Sequence, residues 1–179
     1  MNQWKNTVLT DKGVSLLYKL SQGRSLELTK AKTGIGSVPV GNLRAQTKVN
    51  AEEQTLTFRE VQYLGSGRCV ITVSLENATV TQGYRARQVG IYAKDPTEGE
   101  ILFLISQATD EASATVVPSA TEMPGYRAEW NFYLQYGNAD GVTVTVDNAH
   151  CVSYDEMANH LKNNVKAISN EQIDAILAT

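Results

Sequence analysis

Alternating apolar and polar residues dominate the middle of the chain and predict β-strands. The clearest segment, residues 127–136, reads RAEWNFYLQY, with Trp130, Phe132 and Leu134 on one face of the predicted strand. Side chains of a strand point alternately to its two faces, so one face of this strand is predicted to be buried. The next segment, GVTVTVDN, repeats the pattern after the turn YGNADG, which predicts a hairpin. Strands that follow one another at short intervals favour an antiparallel sheet.

A second hairpin is predicted from the segments GYRARQVGIYA and EILFLISQA, which flank the turn KDPTEG. Residues 101–105 of its second strand are apolar without interruption, so both faces of this strand need a cover. We expect the domain core to cover one face. The other face is expected to be covered by the N-terminal helix or by a neighbouring subunit. The segments LTFREVQYLG and RCVITVSLEN predict a further strand pair around the turn GSG.

Helical spacing is confined to the two ends of the chain. Near the N-terminus, Thr10 or Asp11 can cap a helix on which Val14, Leu17 and Leu20 recur. Near the C-terminus, two capping boxes predict two short helices, which begin at S-Y-D-E and S-N-E-Q.

These patterns predict an α+β fold that is mainly β. Residues 1–149 are expected to form an antiparallel, β-sandwich-like domain with a short N-terminal helix. Residues 150–179 are expected to form a helical C-terminal tail.

The tail is predicted to be a docking element. Isolated helices of about ten residues are marginal in water, so these helices need a surface for their apolar side chains. They can fold back onto their own β-domain, or pack against sister subunits or a neighbouring protein, which is the alternative that we favour. The long loop 109–125 is either a second contact with a partner or a mobile segment. The predicted partner-contact residues are Tyr154, Met157, Leu161, Ile173, Ile176, Leu177, Pro118 and Pro124.

Composition and charge narrow the range of partners. The chain has 179 residues, a formal net charge of −3 and a sequence pI of about 5.4. General nucleic-acid binding needs a basic surface, so we expect no nucleic-acid partner. No segment approaches the roughly 18 apolar residues of a membrane span, so we expect no membrane partner. The two cysteines show neither disulfide-framework nor zinc-site spacing, which indicates a chain that folds with reduced thiols in the cytoplasm.

Patterns that would indicate catalysis or metal binding are weak. His150 and Cys151 form the sharpest pair, but neighbours on a strand point to opposite faces, so we interpret them as an exposed histidine and a small buried thiol. The other histidine, His160, lies in the tail. The glycine-rich segments lack the lysine and hydroxyl residue of a phosphate-binding loop. We therefore predict no catalytic residue, no metal and no cofactor, and hence no enzyme.

Two charged groups allow more than one interpretation. Asp95, Glu98 and Glu100 could form an acid/base pair or calcium ligands, but a solvated turn is the preferred interpretation. Arg85 and Arg87 share one strand face and could bind phosphate or carboxylate. Ion pairs on the sheet surface or at an interface are the preferred interpretation for these arginines.

Four segments occur in an order typical of one kind of viral protein. The opening NTVLTDKGVSLLYKL has the form T-v-x-T-x-x-G followed by a short helix, and LELTKAKTGIG is a strand that ends in a-x-G-x-G. NLRAQTKV supplies a leucine near Q-T, and RQVGIYAKDPTEGEILFLISQA has the form of a hairpin R-E-[LVI]-G-[LI]-Y, a turn, and L-I-A-x-A. Over about residues 6–163 the chain resembles the phage tail-fibre and tail-collar family. The resemblance is to the N-terminal module that attaches a fibre to the baseplate of contractile-tailed phages.

The ending ISNEQIDAIL is similar to the ends of tail and baseplate proteins from phages and prophages of Gram-positive bacteria. The resemblance implies a structural virion component, assembled in the host bacterial cytoplasm, that acts as a tail-fibre or baseplate attachment or adaptor protein. It implies self-association, with a homotrimer expected and a dimer as the alternative, and contacts with other baseplate or tail-fibre proteins. Family fibres continue into a long shaft and tip, whereas this sequence has 179 residues. We therefore expect it to connect other components.

A carbohydrate-binding module for host recognition is the alternative function. In that case Tyr84 and Tyr92, on the strand GYRARQVGIYA, would stack on sugars. Tyrosine is also common in protein interfaces, and we prefer that interpretation.

Overall fold

The computed structural model describes residues 4, 6–20, 26–65, 68–137 and 141–147. The predicted helical tail and its six candidate contact residues therefore lie outside the described residues, as do His150, Cys151 and His160. One α-helix, Asp11–Leu20 (α1), and one 3-10 helix, Val40–Ala45, are present in the described part. The strands are Asn6–Leu9 (β1), Leu28–Gly34 (β2), Glu52–Gly65 (β3), Arg68–Glu76 (β4), Tyr84–Ala86 (β5), Gln88–Asp95 (β6), Gly99–Gln107 (β7), Thr115–Val117 (β8), Arg127–Gly137 (β9) and Gly141–Asp147 (β10).

The described chain is mainly β, and its strands pair antiparallel, as predicted. Eight of the described strands form one sheet in the order β1-β7-β6-β2-β3-β4-β9-β10, and β5 and β8 form a separate two-stranded ribbon. The long strand β3 pairs with β2 through Glu52 to Leu56 and with β4 through Thr57 to Gly65. Register shifts along β3 bend the sheet, and its terminal strands β1 and β10 approach each other. The sheet is thus a single curled layer that encloses its own core.

The main core lies on the concave face of this sheet. Alternate residues of β4 and β9 supply much of it, as the sequence pattern predicted. Trp130 packs edge to face against Trp4, with ring centroids 5.9 Å apart and an interplanar angle of 81°. Strand β1 was not predicted, because four residues are too few to establish an alternating pattern. The fully buried side chains of β4 and β9 in this core are Ile71, Val73, Leu75, Ala128, Trp130 and Phe132.

Strand β7 is covered on both faces, and the second cover differs from the one expected. A register shift between β6 and β7 leaves Phe103 without a direct partner, since Ile91 pairs with Leu104 and Tyr92 with Leu102. Phe103 and Leu104 consequently both join the main core, whereas Leu102 and Ile105 lie in a second cluster.

The second cluster is closed by the loop between β2 and β3, through Leu43 of the 3-10 helix and Val49. α1 does not provide this cover, because it places Leu16 in the main core, and the loop already buries Leu102 and Ile105 within this chain. Gly90 of β6 allows the close packing, since a Cβ atom there would lie 2.5 Å from Val49 Cγ1 and 2.7 Å from Leu102 Cδ1.

The N-terminal helix is fixed to the bulge in β7. The Thr10 backbone N–H donates to the Phe103 carbonyl at 3.1 Å, and the Thr10 hydroxyl donates to the Leu102 carbonyl. The same hydroxyl accepts the Gly13 N–H at 2.9 Å, which caps the helix as predicted. A Cβ atom on Gly13 would lie 2.0 Å from the Phe103 carbonyl oxygen. Only glycine therefore lets the first turn of α1 lie directly on β7.

Gly13→Ala is expected to lower the free energy of unfolding by about 3 kcal/mol, because the new methyl group must displace α1 from β7. In an exposed helix the same change would be stabilising by up to about 1 kcal/mol, so the sign of the effect reports the contact. Chemical denaturation monitored by circular dichroism measures the change. Gly41→Ala is the matched control, since nothing lies within 4 Å of a Cβ atom there. A neutral or stabilising Gly13→Ala would contradict the close contact.

Candidate interaction surface

Three glutamines from separate segments meet beneath the loop that covers β7. Gln88 of β6 donates from Nε2 to Gln46 Oε1 at 3.0 Å and to Gln107 Oε1 at 2.7 Å. Gln107 also bridges the loop backbone, accepting the Val38 N–H at 2.9 Å and donating to the Val38 carbonyl at 2.8 Å. The Asn50 N–H donates to Gln88 Oε1 at 2.7 Å. Gln88 and Gln107 are buried, so this glutamine network fixes the loop on the hairpin through satisfied hydrogen bonds.

Sequence analysis did not assign a role to these glutamines. Gln46, Gln88 and Gln107 each lie in a segment that carries the family resemblance, but an isolated glutamine in a sequence looks like any surface residue. The available signal was the position of Gln107 two residues after an uninterrupted apolar run, where a polar side chain must find a buried partner.

Gln88→Leu is expected to cost about 3 kcal/mol of folding free energy, because it leaves buried partners on Gln46, Gln107 and Asn50 unsatisfied. Amide hydrogen exchange should accelerate at Val38 and Asn50, where the loop is fixed. Gln62→Leu on the exposed surface of β3 is the control and should change stability by less than about 0.5 kcal/mol. Unchanged exchange at Val38 and Asn50 in the Gln88 variant would show that the network does not hold the loop.

The two tyrosines considered for sugar stacking are engaged in the fold. Tyr92 is only 4% exposed, and its hydroxyl accepts the Val49 N–H at 3.1 Å and donates to Glu52 Oε1 at 3.2 Å. Tyr84 is half-buried, and its hydroxyl donates to Gln54 Oε1 at 2.9 Å. Burial raises the pKa of each phenol to about 12. Tyr92 therefore offers no open ring to a sugar or a partner, and Tyr84 offers only part of one, because both rings pack within the fold.

The acidic turn between β6 and β7 is an ordered ion-paired structure. The Asp95 carboxylate accepts the N–H groups of Thr97 and Glu98 at 2.8 and 3.0 Å, and Lys19 of α1 lies 2.7 Å from it. Burial alone would raise the pKa of Asp95, but these hydrogen bonds outweigh burial and hold its pKa well below the usual range. Lys12 of α1 pairs with Glu98 at 2.6 Å. The turn is therefore less solvated than expected, and its carboxylates anchor the helix.

Asp95→Asn is expected to lower the free energy of unfolding at pH 7 by about 2 kcal/mol, since Lys19 loses a buried anionic partner. The folded-state pKa of Asp95 is depressed, so its contribution is complete above the unfolded pKa of about 4 and declines as the pH falls further. The difference between wild type and variant should therefore shrink below about pH 4. Denaturation at a series of pH values tests this. Glu27→Gln, which removes an exposed partner of Lys94, should show neither effect.

The two arginines of the β5–β6 region form ion pairs, as preferred. Arg85 Nε lies 3.5 Å from Glu111 Oε1, and Arg87 pairs with Glu111 Oε2. Each of these side chains is partly exposed. The preferred interpretation as sheet-surface pairs is therefore confirmed.

The loop 109–125 is ordered by local hydrogen bonds. Asn77 Nδ2 donates to the carbonyls of Pro118 at 3.0 Å and Met123 at 2.8 Å, and Ser119 and Glu122 cap a turn between them. Part of the loop forms β8. Pro118 is half-buried against the fold and Pro124 is exposed, so only Pro124 presents an open surface. These hydrogen bonds give the loop a defined course, and its contact with a partner stays a prediction.

An open apolar surface occurs where β3 leaves β2. Beyond Leu56 no described strand pairs with the β3 edge that β2 had occupied, so this edge is free over residues 57–65. Val61 pairs directly with Ile71, which pairs with Phe132, and directly paired residues share one face of a sheet. Ile71 and Phe132 are fully buried, yet Val61 on the same face is 59% exposed. We call Val61, Cys69 and the adjoining edge of β3 the open face.

Cys69 lies beside Val61 on the open face and packs partly against the main core. Burial raises the pKa of its thiol. Strand alternation puts Cys69 on the same face as Ile71 and Val73, which are fully buried. The exposure of Val61 was not predictable, because alternation marks a core face without showing how far the core extends along it.

Within the described residues, no three His, Cys, Asp or Glu side chains are grouped so that they could hold a metal ion. Among the same residues, no helix has the length and apolar character needed to cross a membrane. No known protein family, curated protein or solved structure matches the chain.

Proposed function

We propose that the protein is a structural component of a phage or phage-like tail, in which it acts as a baseplate or tail-fibre attachment or adaptor module. It is located in the virion tail and self-associates, with a homotrimer expected. Its partners are other baseplate or tail-fibre proteins. This proposal starts from the resemblance of four ordered sequence segments to tail-fibre attachment modules.

One observation supports the proposal most directly: three of the four segments that carry the resemblance contact one another through two sets of interactions. Thr10 and Gly13 of the opening segment contact the β7 bulge. Gln46, Gln88 and Gln107, from the loop and the hairpin, form the glutamine network. Residues from the segments that carry the resemblance thus contact one another within this fold. A rigid support of this kind suits a protein that holds others in place.

The chemistry of the described residues supports a structural role over an enzymatic one. Asp95, whose pKa is strongly lowered, is enclosed by Lys19 and two backbone N–H groups and anchors α1 to the turn. The pKa values of Tyr84 and Tyr92 are raised by burial, and both hydroxyls are used within the fold. Perturbed groups at a catalytic centre would instead converge on an open concave site.

The proposal predicts that the protein copurifies with tail particles in the bacterium that encodes it. An epitope-tagged gene at its native locus should place the protein in purified particles at a fixed ratio to the tail proteins. A stop codon early in the gene should yield particles that lack a baseplate or fibre element in electron micrographs. A synonymous change at the same codon is the matched control. Absence of the protein from intact particles would refute the proposed function.

The same purified protein distinguishes the carbohydrate-binding alternative. Burial of Tyr92 removes one of the two rings proposed to stack on sugars, which weakens that alternative. A glycan array probed with the full chain should show no binding above background. Specific binding that is lost in Tyr84→Ala would favour the carbohydrate-binding function instead.

A further inference from the structure

We propose that the open face is a docking site for the C-terminal segment of the same chain, residues 148–179. The inference concerns the fold and does not depend on the proposed function. It selects one of the two alternatives for the tail, namely packing on its own β-domain. The site consists of Val61 and Cys69 on the core face of the sheet, together with the free edge of β3 beside them.

One row of residues on the core face is buried on two strands and exposed on the third. Val61, Ile71 and Phe132 lie directly opposite one another on three adjacent strands. The last two are fully buried, so in this row the core includes β4 and β9 but does not extend to β3. Leaving a valine exposed on a core face forfeits most of its burial free energy. A free edge of nine residues is also a site that folded proteins usually cover.

The segment begins directly after β10, close to the open face. Val146 pairs with Phe132, so the same row continues onto β10, whose last residue is Asp147. Three strand spacings, about 14 Å, separate the backbone of Val146 from that of Val61. The five residues 148–152 span at most about 17 Å when extended. The predicted helix that begins at Ser153 can therefore reach the open face of its own chain, so a second copy of the protein is not needed to supply it.

The predicted helix after Ser153 has an apolar side that suits the open face. The predicted helix from Ser153 has apolar residues at Tyr154, Met157 and Leu161, which fall on one side at helical spacing. A helix of eleven residues is about 16 Å long, so it extends past the two adjacent strands that carry Val61 and Cys69. Such a helix is marginal alone, and the exposed Val61 together with the partly buried Cys69 supplies the apolar surface that it needs.

Cross-linking to the native Cys69 tests the proposal in the full chain. In a Cys151→Ser background, Ala158→Cys places a thiol on the predicted apolar side of the helix and Asn159→Cys places one on the opposite side. A short bifunctional thiol reagent should link Cys69 to the thiol of A158C at least five-fold faster than to that of N159C. Mass spectrometry of digests identifies the link, and melting curves equal to the parent show that each variant folds.

Isotope labelling separates the possible occupants. In an equal mixture of light and ¹⁵N-labelled protein, docking on the same chain gives only light–light and heavy–heavy linked peptides. Mixed light–heavy peptides would show that a second copy supplies the segment and would overturn the proposal. Equal linking rates for the two variants would show that the segment does not dock, and would overturn it as well.

A second measurement needs no introduced thiol. In the Cys151→Ser background, Leu161→Glu should raise the alkylation rate of Cys69 several-fold, because a charged residue weakens docking of the helix. Asn159→Glu is the matched control and should leave the rate unchanged. The reaction is run at alkaline pH because burial raises the pKa of this thiol. An unchanged alkylation rate in Leu161→Glu would contradict coverage of the open face.

Discussion

The contact between the first turn of α1 and the bulge in β7 is the constraint on which the arrangement of the fold depends. The extra residue, Phe103, turns two consecutive side chains into the main core and frees carbonyl groups that the ladder to β6 does not use. Thr10 occupies these carbonyls with its N–H and its hydroxyl, and Gly13 removes the side chain that would keep the helix away. The bulge in β7, the cap at Thr10 and the glycine at position 13 therefore form one structural unit.

That feature determines how β7 can be apolar on both faces. Because Phe103 and Leu104 both point into the main core, Leu102 and Ile105 are left for the opposite face. The loop between β2 and β3 covers them with Leu43 and Val49, and the glutamine network keeps this aperiodic loop in position. Hydrogen bonds in a dry environment supply direction, which apolar contacts lack. The loop thus has a unique position although it contains little regular structure.

Much of this fold could be predicted from local patterns, and the remainder depends on contacts distant in sequence. The alternation in residues 127–136 and the cap at Thr10 each follow from neighbours a few positions away. The bulge at Phe103 does not, because nothing in an uninterrupted apolar run marks where a register shifts. The cover of β7 was assigned to the wrong element for a similar reason. Leu43 and Val49 are single apolar residues in a segment without period.

The candidate surface was likewise only partly predictable, because it also depends on contacts between residues that are distant in sequence. Strand alternation puts Cys69 and Ile71 on one face, and the sequence predicts a tail with apolar residues, but local patterns cannot relate the two. The free edge of β3 arises only because β2 ends its pairing at Leu56, which is a property of the sheet order. The glutamines are visible in the sequence, but their partnership appears only when three segments come together.

The pairing of β1 with β7 has a consequence for synthesis on the ribosome. Thr7 and Ser106 share a hydrogen bond of 2.7 Å across 99 positions of sequence. Strand β1 therefore cannot pair until β7 has been synthesised. Until then α1 has no bulge to rest on, and a ten-residue helix does not persist alone. β1 and α1 therefore complete their packing only after residue 107 has been synthesised, and a nascent chain that stalls before that residue leaves both without their partner strand.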